Sequence, residues 1–460
     1  MARRNQILRC FFFLGCAFSV VMAGSSRASA SATLLIEEPY GKLGFFTATG
    51  HAAVYLSDVC ADTPTVLRRC NPGETGIVLS RYDDVNGYDW LAIPLIPYLY
   101  AVERPEDVPL FADAKMVAFL RDQYRRKYLE SIVPDAHGGE MPTGNWIQLV
   151  GSSYDRTIYG LEVETTPKQD DALIRWLNGA PNRSHFHLVS RNCADFAKTI
   201  INFYYPKALH RSVIADAGIT TPKQIAKMLV KLEARRPELE GSRSVIAQVP
   251  GSLSRSSPIH GVVESFLKSK KYIVPSAVVS PIFAGCVFAV YVGTGTGRFE
   301  PDHDAMVLNP DGALESPLSK TDRKTYRRQL KSLLAEWDPA GRGLNAAKQW
   351  KKLQSRAEIS LDSQGEPLLK LALDGKLFRV GASTANVTGA RDGPPIAREL
   401  LAARLDSELR HAPARGLSPS ALARDWNMLQ QAQRSVLEEH SQLRATAFTA
   451  PDHSGFTNGP

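Results

Sequence analysis

Apolar and polar positions alternate or cluster in short runs over the first two hundred residues of this chain, and later fall into helical spacing. Runs at 33–36, 45–46, 51–56 and 76–82, punctuated by Gly41, Gly44, Gly50 and Gly76, read as strands. The apolar stretch 90–100 is interrupted by Pro94 and Pro97. Leu110, Val117, Leu120, Tyr124 and Tyr128 recur near helical spacing, which predicts a helix over 109–129; 146–150, 157–163 and 186–190 read as strands. The tetrapeptide Thr-Pro-Lys-Gln occurs at 166–169 and again at 221–224. In each copy Thr takes the N-cap, Pro the first helical position and Gln the third, a capping box that opens a helix. Asn192 stands before a further helix from Cys193 to Tyr205, with Phe196, Ala197, Ile200 and Ile201 on one face. Strands and helices intermixed over 31–238 predict an α+β domain.

Composition changes after Glu238. Residues 239–259 are rich in Ser, Arg, Gly and Pro and read as the start of a linker extending to 271. Tyr272 to Gly293 then carries no charge over a length that can cross a bilayer. Pro275, Pro281 and the preceding Lys268, Lys270 and Lys271 argue against a simple span and for a helix starting near Pro275, kinked or split at Pro281. The alternative is a buried hairpin covering Phe283, Val287 and Val290. Residues 299–445 read as a separate, mostly helical region with a hairpin signal at Asp374-Gly375, and 446–460 as a disordered tail. Gly293 to Gly297 lacks the Lys and helix of a phosphate loop and reads as a connector.

Charge and the N-terminus place the chain. The balance is 55 basic to 47 acidic residues, net +8. Residues 1–30 hold Arg3, Arg4, Arg9 and Arg27 with no acid; without them the count is 51 to 47. That ordinary surface offers no argument for a nucleic-acid partner. The basic start, the apolar run Cys10–Gly24 and Ala28-Ser29-Ala30 form an export signal ending at residue 30. The expected location is periplasmic or extracellular, with membrane anchoring through 272–293. Export makes Cys60 and Cys70, with nine residues between them in a polar stretch, a candidate disulfide worth roughly 3 kcal/mol.

Cys193 remains, and it carries the candidate chemistry. A thiol in the first turn of a helix is expected to have a lowered pKa, because N–H groups and the helix dipole favour the thiolate. His51 opens a strand directly after Gly50, and a Cys–His pair is an activated nucleophile for acyl transfer or amide hydrolysis. The backbone N–H of Cys193 is placed for an oxyanion hole. His185 and His187 alternate along one segment without a partner of metal-ligand spacing, so no metal and no cofactor is expected. Asp195 completes a cap with Asn192.

The pattern Gly50-His51, a strand ending in Val-Tyr-Leu, and much later Asn192-Cys193-x-x-Phe196 resembles the circularly permuted papain-like thiol hydrolases, the NlpC-like and lecithin:retinol acyltransferase-like group. The match covers about 33–205. The resemblance implies an antiparallel sheet packed with helices, Cys193 as nucleophile and His51 as general base. It also implies a polar residue on the next strand that orients the imidazole. Ser80 is best placed, where the family usually has His or Glu; Asp83 and Asp84 are its rivals. The implied activity is cleavage or transfer at an amide or ester through a thioester, with cell-envelope peptides or lipids as substrates. Ser80 in that position equally fits a non-catalytic envelope-binding module, and the C-terminal helices fit a membrane-anchored scaffold.

Overall fold

Ser31–Glu37 (β1) is buried at all seven positions because both of its faces are covered. In the computed structural model, which describes residues 30–41, 49–239, 241–337, 345–389 and 393–448, the protein is α+β and about 47% helical around a mixed sheet. The export-signal reading over 1–29 and the strand expected at 45–46 lie outside the described residues.

Among the described residues, eight strands form the main sheet. β1 pairs antiparallel with His51–Leu56 (β2) and with Ile158–Glu164 (β7). β2 continues to Ile77–Ser80 (β5) and Leu91–Pro94 (β6). Val59–Thr63 (β3) and Val66–Arg69 (β4) form a small hairpin between β2 and β5, and there Cys60 and Cys70 are joined, with Cα atoms 4.8 Å apart. On the other side β7 pairs with Ser242–Ile246 (β8), which runs parallel to Met306–Leu308 (β9), followed by Leu314–Glu315 (β10). The segment expected as a linker therefore supplies a sheet strand. Its Val245 and Ile246 are buried, and its polar residues disguise a strand whose partners are remote in sequence.

Alternation sorts the side chains into two cores. Ala32, Leu34, Ile36, Ala52, Val54 and Leu56 face a helical layer made of Pro167–Gly179, Cys193–Tyr204 and Pro222–Glu233. Thr166 and Thr221 cap the first and third of these, accepting from the backbone N–H of Gln169 and Gln224 at 3.3 and 3.2 Å. The opposite face, with Leu35, Ala53 and Val78, packs on Leu95–Tyr100, Ala114–Tyr124 and the C-terminal elements. Burying each such Leu or Ile contributes roughly 1.5–3 kcal/mol. The C-terminal elements include a second sheet of Glu358–Leu361, Pro367–Leu373, Lys376–Gly381 and Val387–Thr388. Its central hairpin turns at Asp374 (φ 49) and Gly375 (φ 76), as the Asp-Gly signal predicts. The long helices Gly393–His411 and Pro419–Phe448 share the same core. Of the tail expected at 446–460, residues 449–460 lie outside the described ones.

Three local readings differ. Residues 146–150 are not a strand but part of a 3-10 helix, Asn145–Leu149, and 186–190 is an exposed turn closed by a bridge between His187 and Arg191. Both are short apolar runs that no neighbouring strand pairs along their length. The uncharged stretch 272–293 is two helices, Lys270–Val279 and Pro281–Thr294, and no helix among the described residues is long and apolar enough to cross a membrane. The break falls at Ser280, where Pro281 starts the second helix without a donor to lose. Pro275 sits inside the first helix, which begins at Lys270 rather than near Pro275.

Candidate functional site

The helix Cys193–Tyr204 starts as its sequence demands. Asn192 Oδ1 accepts from the backbone N–H of Asp195 at 2.9 Å, and the Asp195 carboxylate accepts from the backbone N–H of Asn192 at 3.4 Å. Asn192 Nδ2 also donates to the carbonyls of Leu188 and Thr220, at 2.9 and 3.0 Å, which fastens the cap to the loop ahead of Thr221. Burial alone would raise the Asp195 carboxyl, but Lys198, Thr220 and Arg211 hold it below the usual carboxylate range. Asp195 is thus a cap and an ion-pair centre.

Cys193 is the first residue of this helix and is half-buried. The backbone N–H groups of Ala52 and Ala194 lie close enough to its sulfur to favour the thiolate. Ala52 follows His51 in β2, so Cys193 lies near the end of that strand that His51 opens. Gly50 permits this end: its φ is +74, and a Cβ there would lie 2.1 Å from the Glu37 carbonyl oxygen. Gly50, His51, Tyr82, Gln148, Asn192 and Cys193 are among the residues lining one cavity of about 240 Å³.

His51 is buried, and its Nε2 has no hydrogen-bond partner. The Tyr82 ring stacks on it, with centroids 4.1 Å apart and planes inclined by 7°. Opposite His51 in the β1–β2 register is Glu37. That carboxylate is fully buried, pairs with Arg156 at 3.1 Å, and accepts from the Tyr98 hydroxyl and from Ser152 Oγ at 3.4 Å. Arg156 in turn stacks over Tyr40, 4.4 Å from the ring centroid. Burial raises the Glu37 carboxyl above its ordinary range against the pull of Arg156.

These surroundings reverse the expected electrostatics of the thiol. Burial pushes Cys193 up to about 11; the N–H groups of Ala52 and Ala194 oppose this and lose. Burial, helped by Arg156, holds the His51 imidazole well below its ordinary value. The resting pair is therefore a neutral thiol and a neutral imidazole, not a thiolate–imidazolium pair. A helix N-terminus favours the thiolate, but removing the sulfur from water costs more here.

Ser80 lies opposite Ala53 in the sheet, and its buried Oγ has no hydrogen-bond partner. The contact to the imidazole face comes instead from Tyr82. Asp83 lines the cavity mouth, and both Asp83 and Asp84 are exposed. Sequence reading missed Tyr82, Glu37 and Arg156. Tyr82 is two residues past Ser80 on the same strand direction, so period-2 alternation was a usable signal; the Glu37–Arg156 pair depends on remote pairing and left none. His185 and His187 are exposed in the turn, and His187 Nδ1 meets Ser190 Oγ at 2.8 Å. Among the described residues, the compact cluster of metal-ligand types is Cys60, Cys70 and Glu74, whose sulfurs are bonded to each other.

The chain matches no family model, no curated protein and no solved structure.

Proposed function

We propose that this protein is an exported cysteine hydrolase or acyltransferase acting on an amide or ester of the cell envelope, with Cys193 as nucleophile and His51 as base. The observation that supports the reading is that the helix-initial Cys193 and the buried His51, whose Nε2 has no hydrogen-bond partner, both line one cavity. Neutral His51 takes the thiol proton as the sulfur attacks the carbonyl carbon. Charge on the carbonyl oxygen is met by backbone N–H groups at the helix start, Cys193 its nearest donor. The imidazolium so formed protonates the departing amine or alcohol, leaving a thioester on Cys193. Water or an acceptor alcohol or amine, deprotonated by His51, then releases the acyl group. Glu37, opposite His51, offsets the positive charge of Arg156 that would otherwise disfavour the imidazolium.

A second reading, a non-catalytic envelope-binding module, is favoured by the Ser80 position, which holds no imidazole-orienting hydrogen bond. One experiment separates the two. The chain is incubated with p-nitrophenyl acyl esters and peptide thioesters, and intact mass is followed by peptide mapping. An acyl adduct on Cys193 that hydroxylamine removes, absent in Cys193→Ala and reduced at least a hundredfold in His51→Ala, supports the enzyme. Adducts distributed over other nucleophiles, or unchanged in His51→Ala, overturn it.

A further inference from the structure

The hairpin formed by Lys270–Val279 and Pro281–Thr294 departs from how a folded chain treats apolar sequence. From Tyr272 to Gly293 it contains no Asp, Glu, Lys or Arg. Yet Val278 is 78% exposed, Val279 85%, Ile282 81%, Phe283 53% and Phe288 59%. Ala284 alone is buried in the second helix, and no residue is buried in the first. The hairpin touches the segments Val213–Asp216, Val262–Lys268 and Thr296–Arg298, and Phe266 meets the Tyr272 ring at 6.3 Å and the Phe283 ring at 6.1 Å. The most exposed side chains flank the turn at its tip, where a water-facing turn would be polar.

We infer that this hairpin inserts into one leaflet of a lipid bilayer and holds the protein on its surface. Four features favour lipid over a protein partner. First, the exposed apolar side chains Ile282, Phe283, Phe288 and Val292 point in widely different directions around the second helix, whereas a partner helix or a second copy covers a stripe. Second, the backbone of the tip closes on itself: Ser280 N–H donates to the Ser276 carbonyl at 2.8 Å, Ala284 N–H to the Ser280 carbonyl at 3.1 Å, and Phe283 N–H to Ser280 Oγ at 3.4 Å. Pro281 has no N–H to satisfy, so the turn tolerates hydrocarbon, where an unsatisfied polar group is expensive. Third, the base is built for headgroups. Lys270 and Lys271 stand at the start of the first helix, with Tyr272 beside them and Tyr291 in the last turn of the second. Such a basic and aromatic rim suits an anionic bilayer surface.

The fourth feature is length. At 1.5 Å per residue the ten-residue helix reaches about 15 Å and the fourteen-residue helix about 21 Å. A hydrocarbon core is about 30 Å thick, so the hairpin enters roughly half of it and returns to the side it came from. The Cys193 cavity wall includes Val262, first residue of the helix Val262–Lys268 that the hairpin packs on. Insertion would thus hold that cavity close to the bilayer surface whatever its ligand.

The test uses the purified chain beginning at Ser31, with vesicles of phosphatidylcholine alone or with 30% phosphatidylglycerol. Flotation should carry the protein with the vesicles, at least threefold more on the anionic ones. Val279→Asp with Ile282→Asp should reduce flotation at least tenfold while leaving the melting curve unchanged, because both residues are exposed. Lys270→Glu with Lys271→Glu should remove only the preference for anionic lipid. Cys286, exposed on the second helix, reports depth: alkylation by an impermeant maleimide should fall at least tenfold once vesicles are added. Failure to float on either vesicle overturns the proposal. So does Cys286 protection that grows with protein concentration without lipid, which would make the occupant a second copy. Protease access to the tip from the vesicle lumen would overturn the one-leaflet geometry.

Discussion

Raising the pH should open Cys193 to alkylation only far above neutrality. The sulfur is half-buried at the helix start, and burial moves its titration to about 11. An exposed thiol titrating near 8.5 is about one quarter thiolate at pH 8, whereas one titrating near 11 is about one thousandth thiolate. Iodoacetamide should therefore modify Cys193 about 200-fold more slowly at pH 8 than an ordinary thiol, with the rate still climbing at pH 10. Peptide-resolved mass spectrometry from pH 6 to 11 separates Cys193 from the exposed Cys286. His51→Ala should leave this resting profile unmoved, because the neutral imidazole shares no proton with the sulfur at rest. The same variant should lose acyl transfer about a hundredfold or more. Half-maximal alkylation below pH 8, together with thiolate absorbance in the resting protein, would refute the reasoning. It would mean that the helix N-terminus and His51 overcome desolvation.

Three further outcomes follow from the packing. Gly50→Ala forces a Cβ to within 2.1 Å of the Glu37 carbonyl at a positive φ, whereas Gly73 has nothing within 4 Å; Gly50→Ala should cost about 2 kcal/mol or more in chemical denaturation and exceed the loss in Gly73→Ala. Cys60→Ala with Cys70→Ala should lower stability by roughly 2–3 kcal/mol, and reductant should match that loss in the native chain and change nothing in the variant. Glu408, buried beside Arg404 and Asp425, is pushed up to about 7 by burial. Its native form binds a proton that the unfolded chain has released, so its stabilisation is present below about pH 4.5 and lost as pH rises through 7. Glu408→Gln should flatten the decline in melting temperature between pH 5 and 8, and an equally steep decline in the variant would exclude Glu408 as its source.

Local signals in the sequence travelled into the structure. The Thr166–Gln169 box, the Thr221 cap, the Asn192–Asp195 box and the Asp374-Gly375 turn each depend on residues within four positions of one another, and each formed. The second Thr-Pro-Lys-Gln copy makes only half its box, because the Gln224 amide turns instead to the His210 carbonyl. β1 and β2 were legible for the same reason. Ser242–Ile246 was hidden because its value lies in remote partners: Ser244 faces Gly160 on one side and Met306 on the other. In the site, His51 and Cys193 stood out by residue type and position at element starts. Their protonation did not, because desolvation is set by what the whole fold places around them. The Glu37–Arg156 pair, assembled from β1 and the residue two positions before β7, belongs to that same non-local order.

The central place of β1 also sets an order of events during synthesis. Its partner β2 follows soon, with Ala32 opposite Leu56, but on its other edge Ser31 waits for Glu164. At about 5–20 residues per second, the hundred or so residues between the ends of β2 and β7 take roughly 5–20 s to appear. Throughout that interval Leu34, Leu35 and Ile36 present an unpaired apolar edge, the kind of surface on which nascent chains aggregate. The nascent protein therefore has a window in which a holding chaperone is most useful, and it closes when Ile158–Glu164 arrives. A fragment that stops before Ile158 never leaves this window, and one that stops before Met306 transfers the same exposure to β8.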